Sequence, residues 1–175
     1  MNTFVRALAA LSLSIVALAA PARDRRQQSA PAQTAQTTQT PQSAEGKAVV
    51  IVYRPGKLVG KALEPSVFCD GTEVARMDNG RYFVLLLEPG EHRIHMTQDY
   101  KRVDLKLGAG EVAYVRIKVV MAMMKGRGEP WLSNEADASK HLKTMEPLGA
   151  DKIKNTTLVV ADKAEAEAQL KRFVK

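Results

Sequence analysis

Cysteine and tryptophan each occur once in these 175 residues, histidine three times, and aromatic side chains amount to only 5%. A single cysteine excludes an intramolecular disulfide, so any fold must be held by its apolar core. The chain is basic, with a formal net charge of +7. Sparse aromatics nevertheless exclude a nucleic-acid surface built from a basic stripe with interleaved stacking rings. A run of about 20 apolar residues, the length needed to span a bilayer, is also missing. Ala7 to Ala20 is shorter and is broken by Ser12 and Ser14. There is no G-x-S-x-G, no acid pair framed for glycoside chemistry and no Cys–His dyad in a recognisable signature. The expectation is a protein without catalytic residues and without a cofactor.

What is present begins with the pattern of an export signal. Met1 to Arg6 carries one positive charge, Ala7 to Ala20 is the apolar core, and Ala17 and Ala19 form an A-x-A site. This predicts a signal peptide over residues 1–19, with cleavage after Ala22 as the second choice, and a periplasmic or secreted protein that does not span the membrane after cleavage. Residues 20–46 are rich in Gln, Thr, Ala, Ser and Pro. Such a composition buries too little surface to offset its ordering entropy and predicts a disordered linker.

From residue 47 to 152 the chain reads as one all-β domain. Asp70-Gly71, Asn79-Gly80, Pro89-Gly90, Gln98-Asp99 and Gly108-Ala109-Gly110 punctuate short apolar runs every nine or ten residues. That spacing predicts an antiparallel β-sandwich of about seven short strands, Ig-like or transthyretin-like, with one or two C-terminal helices. Tyr82 to Leu87 is apolar on both parities and reads as the central core strand. Lys47 to Arg54 is also β-branched and apolar on both parities, and belongs near the sheet centre. Asp70-Gly71 is the strongest hairpin signal, because both positions of a type I′ turn need positive φ. Further strands are expected at Ser66 to Cys69, Thr72 to Met77, His92 to Thr97, Tyr100 to Leu107 and Glu111 to Val120. In these, His92, Ile94 and Met96 share one face opposite Arg93, His95 and Thr97, while Val103, Leu105 and Leu107, and Ala113, Val115, Ile117 and Val119, point inward. Trp131-Leu132 suggests a final edge strand. Ser133 reads as the N-cap of a helix over Asn134 to Met145, stopped by Pro147 and Gly149. Residues 153–175 form a helical tail, with Leu170 and Phe173 as the main apolar contacts of a helix from Ala161 to Val174.

Several residues invite chemistry. His92 and His95 suggest a metal, but residues three apart on a strand point to opposite faces and cannot chelate one ion. Cys69 reads as a small buried hydrophobe, with thiol chemistry as the competing reading. Met121, Met123 and Met124 are soft thioethers that could capture Cu(I), joined by Met96; the competing reading is a flexible apolar plug. Lys125-Gly126-Arg127-Gly128 reads as loop composition that could hold an anion through its cations and backbone N–H groups. Lys125, Arg127 and Trp131 are therefore the candidate ligand or partner contacts.

Val52-Tyr53-Arg54-Pro55, Val67-Phe68-Cys69-Asp70-Gly71, Asn79-Gly80-Arg81-Tyr82-Phe83 and Leu87-Glu88-Pro89-Gly90-Glu91-His92 together resemble a family of bacterial envelope proteins known only as a domain of unknown function. Many of its members are predicted lipoproteins. The middle portion is also similar to PEGA domains, small surface β-domains in which a V-x-x-D-G hairpin precedes a P-G-x-H turn. The resemblance spans Lys47 to Glu146 and implies the β fold. It brings no catalytic residues, and the chain departs from it in having no lipobox cysteine at the export site. The resulting expectation is an exported non-enzymatic module that binds an envelope protein or an anionic surface polymer. The alternative is a Cu(I) or small-ligand carrier using Met121 to Met124.

Overall fold

The computed structural model describes residues 46–97, 101–122 and 125–174. The export signal, most of the linker, the Gln98-Asp99 turn, Tyr100, Met123 and Met124 lie outside the described residues. Among these described residues, nine strands and two α-helices follow in the order β1 (Ala48–Arg54), β2 (Ser66–Cys69), β3 (Thr72–Arg76), β4 (Arg81–Leu87), β5 (Gly90–Met96), β6 (Arg102–Leu107), β7 (Val112–Ala122), β8 (Lys125–Ser133), α1 (Glu135–Leu142), β9 (Glu146–Pro147) and α2 (Lys163–Phe173). A five-stranded sheet, β8-β7-β1-β4-β9, packs against a four-stranded sheet, β3-β2-β5-β6. The expected sandwich is the fold.

Two apolar layers explain the double parity of β1 and β4. Ala48, Val50 and Val52 of β1, with Phe83, Leu85 and Leu87 of β4, face the four-stranded sheet and meet Val67, Ile94, Met96 and Leu105. Their alternates, Val49, Ile51, Tyr53, Tyr82, Val84 and Leu86, face outward and are covered by Ala138 and Leu142 of α1 and Ala166 of α2. A strand buried on both faces cannot alternate polar with apolar, so its sequence reads as a continuous apolar run.

The structure corrects several expectations. The central strand of the larger sheet is β1, with β4 beside it. β1 pairs antiparallel with β4 but parallel with β7, through Val49↔Val112 to Tyr53↔Arg116. Consecutive pairing fails where the chain crosses between sheets, from β1 to β2, β3 to β4, β4 to β5 and β6 to β7. Lys125-Gly126-Arg127-Gly128 is the start of β8 and pairs with β7 from Ala122↔Lys125 to Tyr114↔Ser133. Asn134, not Ser133, caps α1, its side chain accepting from the Asp137 N–H at 2.8 Å. The helix ends at Leu142, and Pro147 beyond it pairs in a two-residue parallel strand with Tyr82.

The C-terminal segment is sewn into the sandwich. Ile153 bridges to Ala75, and the Lys154 N–H donates to the Val74 carbonyl at 2.9 Å. The Leu86 N–H donates to Leu158 at 2.8 Å and the Val160 N–H to Val84 at 3.0 Å. These bonds cover the edges of β3 and β4, which would otherwise present unpaired backbone groups. α2 begins at its Asp162 cap and buries Ala166 and Gln169, while Leu170 and Phe173, expected as its main contacts, are only partly buried.

Candidate functional site

The first site lies where the β2–β3 turn meets β5. Asp70 has φ 50° and Gly71 φ 81°, the two left-handed positions that a type I′ turn demands. This backbone places the Asp70 carboxylate beside β5, where Oδ1 accepts from the Arg93 N–H at 2.7 Å and Oδ2 stands 2.8 Å from His92 Nδ1. The other ring nitrogen, Nε2, is 2.7 Å from the Glu88 carbonyl oxygen. Cys69 Sγ approaches Asp70 Oδ2 to 3.7 Å. Burial alone would lower the pKa of His92, but the bonds to Asp70 and Glu88 outweigh it and hold the value above normal. Burial, then the Asp70 charge, pushes the Cys69 thiol up to about 12, so at neutral pH it is protonated and no nucleophile. A groove of about 770 Å³ opens beside the cluster, lined by His92, Arg93, His95, Asp104 and Lys106 among others. His95 is on the opposite strand face, stacked on Phe68 at 5.1 Å, as the period of two requires.

The second site is the edge strand β8. Trp131 is 43% exposed and Leu132 63%. Lys118 Nζ lies 4.1 Å from the centre of the indole and Lys101 Nζ 5.1 Å, both within cation–π range. Arg127 donates to Glu129 Oε1 at 3.0 Å, and this buried carboxylate also has Lys101 Nζ at 4.0 Å. Residues 125–128, read as ordinary loop composition that could hold an anion, are therefore a strand, with Arg127 paired to Glu129. Its glycines serve close packing: a Cβ at Gly126 would stand 2.0 Å from Leu63 Cδ1, and one at Gly128 2.6 Å from Met96 Cε. Met121 is half-exposed at the end of this hairpin and Met96 is buried in the core, so Met121 is no sealed plug.

A third cluster joins β1, β8 and α1. The Tyr53 hydroxyl donates to Asp137 Oδ2 at 2.9 Å and lies 2.7 Å from Ser133 Oγ, which donates to the same carboxylate oxygen at 3.1 Å. Arg116 reaches Asp137 at 3.1 Å and His141 Nε2 lies 3.9 Å from it. Ser, Asp and His converge here, but both Ser133 and His141 address the carboxylate. A hydrolytic triad needs the base at the serine oxygen, whereas among the described residues Ser133 and His141 meet only through Asp137. The cluster pins α1 to the sheet. No sequence signal marked it, because its members lie as much as 84 residues apart.

Among the described residues no helix is long and apolar enough to cross a membrane. No curated protein and no solved structure matches the chain. Residues 44–129 match a family described as a protein of unknown function (DUF2846), a stretch that holds Cys69, Asp70 and His92 but stops short of Trp131. The strands from β1 to the first half of β8 are thus what this chain has in common with a domain-of-unknown-function family.

Proposed function

We propose that this β-sandwich is a non-catalytic module of the bacterial cell envelope, exported to the periplasm or secreted, that binds an anionic surface glycan at Trp131. The observation that carries the reading is the exposed indole on an edge strand with Lys118 and Lys101 beside it. An indole face offers apolar contact to a sugar ring, and the flanking ammonium groups offer charge to its anionic substituents. The export-type N-terminus, the polar linker, the net charge of +7 and the resemblance to envelope domains support the same setting.

Trp131 is the sole tryptophan, so its fluorescence reports on this site alone. Titrating the exported protein with purified lipopolysaccharide should shift the emission, with the effect weakening as salt rises. Trp131→Ala, followed by sedimentation, and Lys118→Glu should each weaken binding about tenfold or more, the equivalent of 1.4 kcal/mol. An equal response to neutral dextran, or binding that survives both substitutions, would remove the reading. Capture of an envelope protein through Trp131 in place of the glycan would redirect it to a protein partner.

A further inference from the structure

The Cys69–Asp70–His92 cluster takes part in neither the proposed glycan contact nor the pin under α1. Its donor atoms, one thiol, one carboxylate oxygen and one imidazole nitrogen, all lie within 4.8 Å of one another, the group of this kind found among the described residues. Three different elements deliver them: the end of β2, the first residue of the turn and the third residue of β5.

The imidazole contacts set the argument. Nε2 faces the Glu88 carbonyl at 2.7 Å, and a carbonyl only accepts, so Nε2 carries hydrogen. Nδ1 stands 2.8 Å from Asp70 Oδ2, the distance of a hydrogen bond, so in the ion-free protein a proton joins these two atoms. A metal ion also uses the third donor, Cys69 Sγ, 3.7 Å from the same carboxylate oxygen.

We propose that Cys69, Asp70 and His92 bind one divalent cation of the Zn²⁺ class. Thiolate, imidazole and carboxylate together suit zinc, whereas Mg²⁺ and Ca²⁺ prefer oxygen alone. Tetrahedral ligands held ~2.0–2.3 Å from zinc stand roughly 3.3–3.8 Å from each other. The Sγ–Oδ2 separation already meets this, and the Nδ1–Oδ2 gap opens by about half an ångström to admit the ion. The outer contacts are those that orient metal ligands: the Glu88 carbonyl fixes the imidazole tautomer and the Arg93 N–H holds the other carboxylate oxygen. Asp70 and His92 line the groove, from which water can reach a bound ion. Binding displaces the thiol proton to solvent, and the imidazole proton also where the ring is charged.

The test uses the full chain stripped with chelator. Co²⁺ should produce thiolate-to-metal charge-transfer absorption in the near ultraviolet, Zn²⁺ should displace it, and Zn²⁺ should raise the Tm. Cys69→Ala should abolish the band. His92→Gln and Asp70→Asn, which leave the core intact, should each weaken Zn²⁺ binding tenfold or more, and His95→Gln should leave it unchanged. Absence of the band and of a Zn²⁺-dependent Tm shift in the wild-type chain would overturn the proposal and leave a proton between His92 and Asp70. Full binding in His92→Gln, or equal weakening in His95→Gln, would overturn it as well.

Discussion

Arg54, the last residue of β1, donates from its guanidinium to the carbonyl of Met77, 2.9 Å away, across the mouth of the loop that joins β1 to β2. The same group also donates to the carbonyls of Gly60, at 2.6 Å, and Leu63. Arg54 is 2% exposed, yet its loop presents Leu58 at 91% and Val59 at 65% exposure. A buried cation satisfied by three carbonyls is what holds this exposed loop down.

Arg54→Met keeps the aliphatic stem but takes the charged donor away from the Met77 and Leu63 carbonyls, while the Gly60 carbonyl still accepts from the Leu63 N–H at 3.0 Å. It should cost about 1–3 kcal/mol, the penalty of leaving a buried group such as the Met77 carbonyl unpaired. The loop should loosen before the sandwich does, so tryptic cleavage after Lys57 and Lys61 should accelerate in the native state. Unchanged cleavage in the variant would show that the loop is held by its apolar contacts instead.

Leu85 is fully buried in β4 between the sheets, whereas Arg102 lies exposed on the polar face of β6, 3.3 Å from Asp104. Leu85→Asp places an uncompensated charge in the core and should abolish folding, because the cost approaches the ~5–15 kcal/mol total stability of a domain. Arg102→Asp should cost less than about 1 kcal/mol. Circular dichroism melts of both proteins decide, and equal shifts would refute the register.

Asp137 is held below the usual carboxylate range first by the Tyr53 hydroxyl, then by Ser133 and Arg116. A depressed folded-state value stabilises the fold at pH above the unfolded value of about 3.9, and the contribution is lost as pH falls through the folded-state value. Asp137→Asn should therefore lower the Tm at pH 7 by a few degrees, roughly 1 kcal/mol after solvent screening of this partly exposed group. The Tm gap between variant and wild type should close as both are melted below about pH 4. A gap independent of pH would mean that shape, not charge, is what Asp137 supplies.

The Tyr82 hydroxyl is buried with no hydrogen-bond partner among the described residues, beside a cavity of about 260 Å³ lined by Leu142, Met145 and Leu170. Burial, then the Glu167 charge, pushes its pKa to about 12. An unpaired buried hydroxyl is a liability, so Tyr82→Phe should leave stability unchanged or raise it by up to ~1 kcal/mol. A clear loss in urea unfolding would reveal a partner for the hydroxyl.

The turns were legible because their chemistry is local. Asp70-Gly71 and Asn79-Gly80 act through φ angles within two residues, and the structure has left-handed backbone at Asp70, Gly71 and Gly80. The inward positions of β5 and β6 were legible from alternation, and Ile94, Met96, Val103, Leu105 and Leu107 are buried. Trp131-Leu132 was legible as an edge strand, but the first half of β8 was not: two glycines beside Lys125 and Arg127 have loop composition, and only the approach of Leu63 and Met96 explains why side chains are absent there. The cap of α1 was read one residue early because Ser133 and Asn134 are both good caps, and Ser133 is taken up by Asp137 and Tyr53.

Short-range preference and apolar period were enough to place most strands and to mark β1 and β4 as buried on both faces. They could not say which strands become neighbours. The parallel contact of β1 with β7 joins residues more than sixty positions apart, and its loop-closure cost is met by core burial that no single window of sequence contains. The meeting of Asp70 with His92 has the same origin. Each belongs to a readable turn, but the pairing of β2 with β5 is what sets a carboxylate, an imidazole and the Cys69 thiol around one point.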